Sequence, residues 1–159
     1  MKRKMDLICF RLGSKFQKWK NRKKKSSAVN DESLPLHLRS GRRGEEYAAE
    51  MLNTKGYRIV KRNYTVGKSE LDIIAENEET FVICEVKTRI QAYGTPSRYG
   101  PPSRAVTKEK RRHLLPATTL FCRKRQDAEK PFRFDVIEVY LNRDLSLGHI
   151  EHYENLWMK

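Results

Sequence analysis

From residue 40 the apolar positions fall into a helical rhythm. In GRRGEEYAAEMLNTK, Tyr47, Ala48, Met51 and Leu52 recur three and four residues apart, which places them on one face of a helix. Ser40 stands where a side-chain oxygen caps a first turn, and Gly56 stands where a helix stops. The period then shortens to two. YRIVKRNYT at 57–65, SELDIIA at 69–75 and TFVICEVKTR at 80–89 are rich in β-branched and aromatic residues, and are parted by Gly67 and by Glu76-Asn77-Glu78-Glu79. They predict three strands, most simply an antiparallel meander. QAYGTPSRYGPPS holds two Gly and three Pro, and reads as a loop of a length that goes with function or mobility. A second helix over about 105–125 buries Val106, Leu114, Ala117 and Phe121, and Pro116 is expected to kink it. Two strands follow, PFRFDVIEVYL at 131–141 and a weaker one at LGHIEHY, 147–153. The predicted order is α-β-β-β-α-β-β, in the α/β (α+β) class.

Charge changes the picture at one end. The 159 residues, enough for one domain, carry 34 Lys and Arg against 20 Asp and Glu, a formal +14. Residues 1–40 hold 12 of the basic and 3 of the acidic residues. There Met5, Ile8, Leu12, Phe16 and Trp19 recur at helical spacing among the basic residues, before the polar run Lys23-Lys24-Lys25-Ser26-Ser27. Residues 1–39 therefore read as a basic, flexible tail with a short amphipathic stretch, and 40–159 as the domain. Such a tail is mostly solvated, with nucleic acid or an anionic membrane surface as its natural contacts. No apolar run approaches the roughly 20 residues that cross a bilayer, and the run in MKRKMDLICF breaks at Arg11, too early for a secretory core. Cys9, Cys84 and Cys122 are odd in number and far apart, fitting neither a disulfide framework nor a zinc spacing. A cytoplasmic location is expected.

Acids stand where strands should be apolar. Alternation puts Leu71, Ile73 and Ala75 on one side of the 69–75 strand and Glu70, Asp72 and Ile74 on the other. It puts Val82, Cys84 and Val86 on one side of the next strand, and Phe81, Ile83, Glu85, Lys87 and Arg89 on the other. A carboxylate taken from water must regain its solvation from partners. A Mg²⁺ or Mn²⁺ ion bridging Asp72 and Glu85 would supply it, since Mg²⁺ takes one or two carboxylates and keeps waters that a phosphate can replace. Lys87 would then orient a water or neutralise charge on a phosphoryl transition state. The competing reading is a solvated strand face with an exposed Glu85–Lys87 pair, worth about 0–1 kcal/mol. Spacing alone leaves both open. His149 and His152, three apart on a strand, face opposite sides, which argues against a shared metal.

The blocks GRRGEE at 41–46, KGYRIVKRNY at 55–64, SELDIIA at 69–75, ICEVKTR at 83–89 and RFDVIEVY at 133–140 resemble the YraN-like family of bacterial proteins. That family is similar to the Holliday-junction-resolvase branch of the PD-(D/E)XK nucleases. The resemblance covers about residues 40–155 and implies a restriction-endonuclease-like core, a mixed sheet flanked by helices. It also implies a catalytic set of Glu45, Asp72, Glu85 and Lys87, the three carboxylates being metal ligands, with Glu70 as a supporting acid and Thr88 and Arg89 near a phosphate. Asp135 reads as structural, paired with a neighbouring Arg or with backbone. Arg42, Arg43, Arg89, Lys108, Lys110, Arg111 and Arg112 are expected nucleic-acid contacts. The implied activity is divalent-metal-dependent cleavage of DNA, branched or structured DNA included, by a chain that can act as a homodimer. The alternatives are a non-catalytic DNA- or RNA-binding module and, from another class, a membrane-surface adaptor using residues 5–19.

Overall fold

A computed structural model describes residues 33–67, 69–92, 108–125 and 130–156. Residues 1–32 of the expected tail, with its amphipathic stretch, most of the Gly- and Pro-rich loop, and Val106 lie outside the described residues, while residues 36–39 of that tail belong to the first described helix. Among the described residues no helix is long and apolar enough to cross a membrane.

Helix α1 runs Leu36–Thr54, so it starts before Ser40. Pro35 is its N-cap, and the Pro35 carbonyl accepts from the amides of Leu38 (3.0 Å) and Arg39 (3.1 Å). Ser40 does not cap. It lies inside the helix, and its hydroxyl donates to the His37 carbonyl at 3.0 Å, the back-bond of a serine within a helix. The C-terminus follows expectation: Gly56 adopts φ +90°, the Tyr57 amide reaches the Leu52 carbonyl (3.0 Å) and the Gly56 amide reaches Asn53 (3.1 Å). That pair of bonds satisfies carbonyls the helix would otherwise leave open.

Strands β1 (Arg58–Val66), β2 (Ser69–Glu76) and β3 (Phe81–Ile90) form the antiparallel meander. Helix α2 (Lys108–Lys124) runs through Pro116. Strand β4 (Phe132–Leu141) lies parallel to β3, from Phe81 opposite Phe132 to Ile90 opposite Leu141, and β5 (Leu147–Tyr153) is antiparallel to β4. The result is a five-stranded mixed sheet in chain order, with α2 in the crossover that a parallel pair requires. Glu76 is not part of a polar turn but the buried last residue of β2, held by Arg58, by Lys130 (3.4 Å) and by Arg125 (3.7 Å).

Two cores flank the sheet. Ala48, Met51 and Leu52 of α1 pack with Ile73, Ala75, Val82, Cys84, Ile137 and Val139 on one face. On the other, Leu114, Ala117 and Phe121 of α2 pack with Ile74, Phe81, Ile83 and Phe134, and the Phe121 ring meets the Tyr64 and Phe81 rings edge-on at 5.2 and 6.0 Å. Leu71 departs from the expected alternation. It sits in the second core with Ile74 rather than beside Ile73 and Ala75. Pairing of β2 with β3 ends at Ile73, and from there to Ser69 β2 is held by β1 alone, so its side chains are not bound to the pleat of the central strands. Close approach of α1 to β3 is made at Gly44, where a Cβ atom would lie 1.8 Å from Thr88 Oγ1.

Candidate functional site

The site forms where β2 and β3 part. Their ladder runs from Glu76 opposite Phe81 to Ile73 opposite Cys84, and the next pair would be Asp72 with Glu85. Instead of a backbone carbonyl, Asp72 Oδ2 accepts the Val86 amide at 2.8 Å. One carboxylate thus ends the ladder and is fixed in the gap. Burial pushes the Asp72 carboxyl up, to about 7; the nearby Glu85 charge adds to this, the Val86 amide and Lys110 oppose it, and Glu45 adds a smaller push.

Glu85 faces the α2 side of β3 and is 7% exposed. Its Oε1 accepts from Lys87 Nζ at 2.6 Å and also from Lys110 Nζ, which arrives from the first turn of α2. Lys87, two residues along the same face, is 39% exposed at the rim. Glu45 of α1 reaches Arg62 of β1, Oε2 to Nη2, at 3.3 Å. The structure therefore brings Asp72, Glu85 and Lys87 together, adds Lys110, and leaves Glu45 adjoining in an ion pair of its own. A cleft of about 420 Å³, lined by Ser69, Asp72, Lys110 and His113 among others, opens beside Asp72 with the exposed Glu70 on its wall.

These residues suit a hard divalent ion. Two carboxylates meet within range of mutual repulsion, and two ammonium groups are drawn onto one of them, the response of a site that needs positive charge. Asp72 and Glu85 supply the oxygen donors that Mg²⁺ or Mn²⁺ takes, and Glu45 would join on leaving Arg62.

Among the described residues, three donor atoms within 4.8 Å of one another occur elsewhere, at Cys84, Asp135 and His152. Asp135 accepts from Arg133 Nε (3.1 and 3.2 Å) and Nη2 (3.2 Å), from the Asn155 amide (2.8 Å) and from His152 Nε2 (2.8 Å). Lys55 Nζ lies 2.8 Å from His152 Nδ1. An ammonium only donates, so Nδ1 accepts from Lys55 while Nε2 faces Asp135. Burial alone would raise Asp135, but the bonds from His152, Asn155 and Arg133 outweigh it and hold the carboxyl below its usual value. Burial also pushes the Cys84 thiol well up. This cluster is closed and structural, as expected for Asp135; the part of His152 depends on the β4–β5 register and has no signal in the sequence.

The expected nucleic-acid contacts divide. Arg42 and Arg112 are exposed, on α1 and α2. Arg43 pairs with Glu46 at 2.9 Å and lies over the Tyr47 ring at 5.0 Å. Lys108 and Arg111 lie on α2, and their side chains are outside the description. Lys110 and Arg89 are turned to protein acids: Arg89, 10% exposed, holds Glu138 at 2.9 Å, and Glu138 also accepts the Tyr140 hydroxyl at 2.7 Å. Burial and that hydrogen bond push Tyr140 up to about 12. Glu138 is 2% exposed, and its signal was available: an acid between Val136 and Tyr140 on the otherwise apolar face of a strand.

Comparison with known proteins bears on the whole domain. The model of the family described as "Uncharacterised protein family UPF0102" matches residues 44–139. A UPF0102 protein of Caldicellulosiruptor saccharolyticus is 41% identical over 102 residues, 64% of this chain and 82% of that one. Another, from Phocaeicola vulgatus, is 39% identical over 124 residues, 76% of this chain and 98% of its own. Among solved structures, Pyrococcus furiosus SfsA in complex with Ca²⁺ aligns over 72% of this chain and 63% of its own at 16% identity and a TM-score of 0.37, too slight a likeness to bear on function. With a family match over most of the ordered domain and relatives near 40% identity, the chain belongs to the UPF0102, YraN-like, family.

Proposed function

We propose that this protein is a divalent-metal-dependent endonuclease that hydrolyses phosphodiester bonds in DNA, branched or structured DNA included. The observation that carries the reading is Asp72 set into the break between β2 and β3, beside Glu85 and within reach of its charge. Carboxylates so placed cost stability unless a cation answers them. When bound, a divalent ion would neutralise phosphate charge and lower the pKa of a coordinated water. Asp72 and Glu85 would hold the ion, from β2 and β3 respectively. Lys87, at the rim, donates from its ammonium to the attacking water or to a phosphate oxygen. Exposed Arg42 and Arg112 and the basic residues of 1–40 favour an anionic polymer as substrate.

The test is a panel of linear and branched DNA with Mg²⁺ and with Mn²⁺, using wild type, Asp72→Asn, Glu85→Gln and Lys87→Ala. Wild type is expected to cut only with the ion, and both carboxylate variants to lose ion binding. Lys87→Ala is expected to keep DNA and ion binding but to lose about 10²-fold or more in rate, as when one electrostatic contact of a transition state is removed. A second reading has its own observation: Lys87 and Lys110 already answer the charge of Glu85, as a binding module without an ion would require. Absence of cutting and of ion-dependent stabilisation would select that module.

A further inference from the structure

The proposed site already holds two side-chain cations. Lys110 belongs to α2, not to the strands that carry the carboxylates, yet its ammonium lies on Glu85 Oε1, the oxygen that Lys87 occupies at 2.6 Å. One ammonium is enough for one carboxylate. The second balances the pair, because Asp72 and Glu85 lie close enough to repel and Lys110 acts favourably on both. Lys87, 39% exposed, shares a strand and a face with Glu85, whereas Lys110 comes from α2. Lys110 can withdraw. Its side chain is 32% exposed and lines the cleft of about 420 Å³ that reaches Asp72, so rotation about its flexible stem carries the ammonium into water without disturbing Leu114, Ala117 or Phe121 in the core beneath α2.

We propose that Lys110 is the resident counter-ion of the Asp72–Glu85 pair: it takes the position of a divalent cation at the break between β2 and β3, and gives it up when the cation binds. The inference rests on reading Asp72 and Glu85 as metal ligands. It explains why a lysine from another element points inward at a buried acid while Arg112, two positions along the same helix, is exposed. The ion-free protein keeps its acids neutralised, and metal affinity is set by competition with an ammonium group rather than by the carboxylates alone. Lys110 is in this role a positioning residue.

The experiment is calorimetric titration of the full chain with MnCl₂, with electron paramagnetic resonance counting bound Mn²⁺, on wild type, Lys110→Met and Lys110→Gln. Thermal melts are recorded for each with and without the ion. Both variants are expected to bind Mn²⁺ about tenfold more tightly than wild type, the effect of one modest ionic competitor. They are also expected to melt lower than wild type without Mn²⁺ and to gain more on its addition. If wild type binds Mn²⁺ and both variants bind it equally or less well, Lys110 is a fixed salt bridge or a nucleic-acid contact, and the counter-ion role is refuted while the metal site stands. If neither wild type nor the variants bind Mn²⁺, the reading of Asp72 and Glu85 as ligands fails and takes this inference with it. Should Lys110→Met not fold, Lys110→Gln decides between these outcomes.

Discussion

Two glycines in α1 should answer the same substitution with opposite signs. A Cβ at Gly41 would meet nothing within 4 Å, so Gly41→Ala is expected to stabilise by about 0.5–1 kcal/mol through helix propensity and a less free unfolded chain. At Gly44 the same atom would lie 1.8 Å from Thr88 Oγ1, 2.8 Å from its Cβ and 2.9 Å from its Cγ2. The hydroxyl can rotate away, but the Thr88 Cβ is fixed to the backbone of β3. Restoring an ordinary contact of about 3.5–4.0 Å moves α1 off the sheet by roughly 1 Å. Overpacking of this kind costs about 1–3 kcal/mol, against which propensity returns less than 1 kcal/mol, for a net loss near 1–2 kcal/mol and a Tm drop of roughly 3–8 °C. Urea and thermal melts of Gly41→Ala, Gly44→Ala, Thr88→Ala and the Gly44–Thr88 double variant measure it. Thr88→Ala removes two of the three clashing atoms, so the cycle should show a favourable coupling of about 0.5 kcal/mol or more. Glu45 follows Gly44 in the chain, so the displaced helix should also lose the Glu45–Arg62 pair. Stabilisation by Gly44→Ala equal to that of Gly41→Ala would refute the close approach on which this rests.

Two further outcomes are expected. Asp135 has a folded pKa below its usual value, so its stabilisation is present above about pH 4 and is lost as pH falls through the lower folded value. Asp135→Asn removes the charge that Arg133, His152 and the Asn155 amide all answer, while Arg133 keeps Glu154 at 3.0 Å, and should cost about 1–3 kcal/mol at pH 7; melts from pH 2 to 7 should show the gap to wild type closing at the acid end, and a constant gap would contradict the assignment. Removal of residues 1–32, which leaves α1 whole, should flatten the salt dependence of DNA binding without abolishing it; fluorescence anisotropy across salt decides, and an unchanged slope would exclude the tail as a contact.

Periodicity sufficed to read the elements, because the spacing of side chains on a helix or strand is set by the backbone itself. Among the described residues it found all five strands and both helices in order, with β5 at 147–153 to the residue, and it put Glu85 and Lys87 on one face. It missed the start of α1 because Leu36 and Leu38 are exposed and add no apolar face, and because Pro35 caps without a side-chain bond while Ser40 looks like a cap. What lies between elements was not legible. That Asp72 would accept the Val86 amide depends on where the β2–β3 ladder stops, and the pairing of Asp135 with His152 depends on the register of β4 against β5. Lys110 looked like one basic residue of a basic helix; the crossover from β3 to β4 lays that helix over the sheet and turns the side chain onto Glu85. Side-chain type and period are local properties of the chain, whereas ladder length, register and helix placement are settled by packing across the whole domain, and the candidate site is made of the latter.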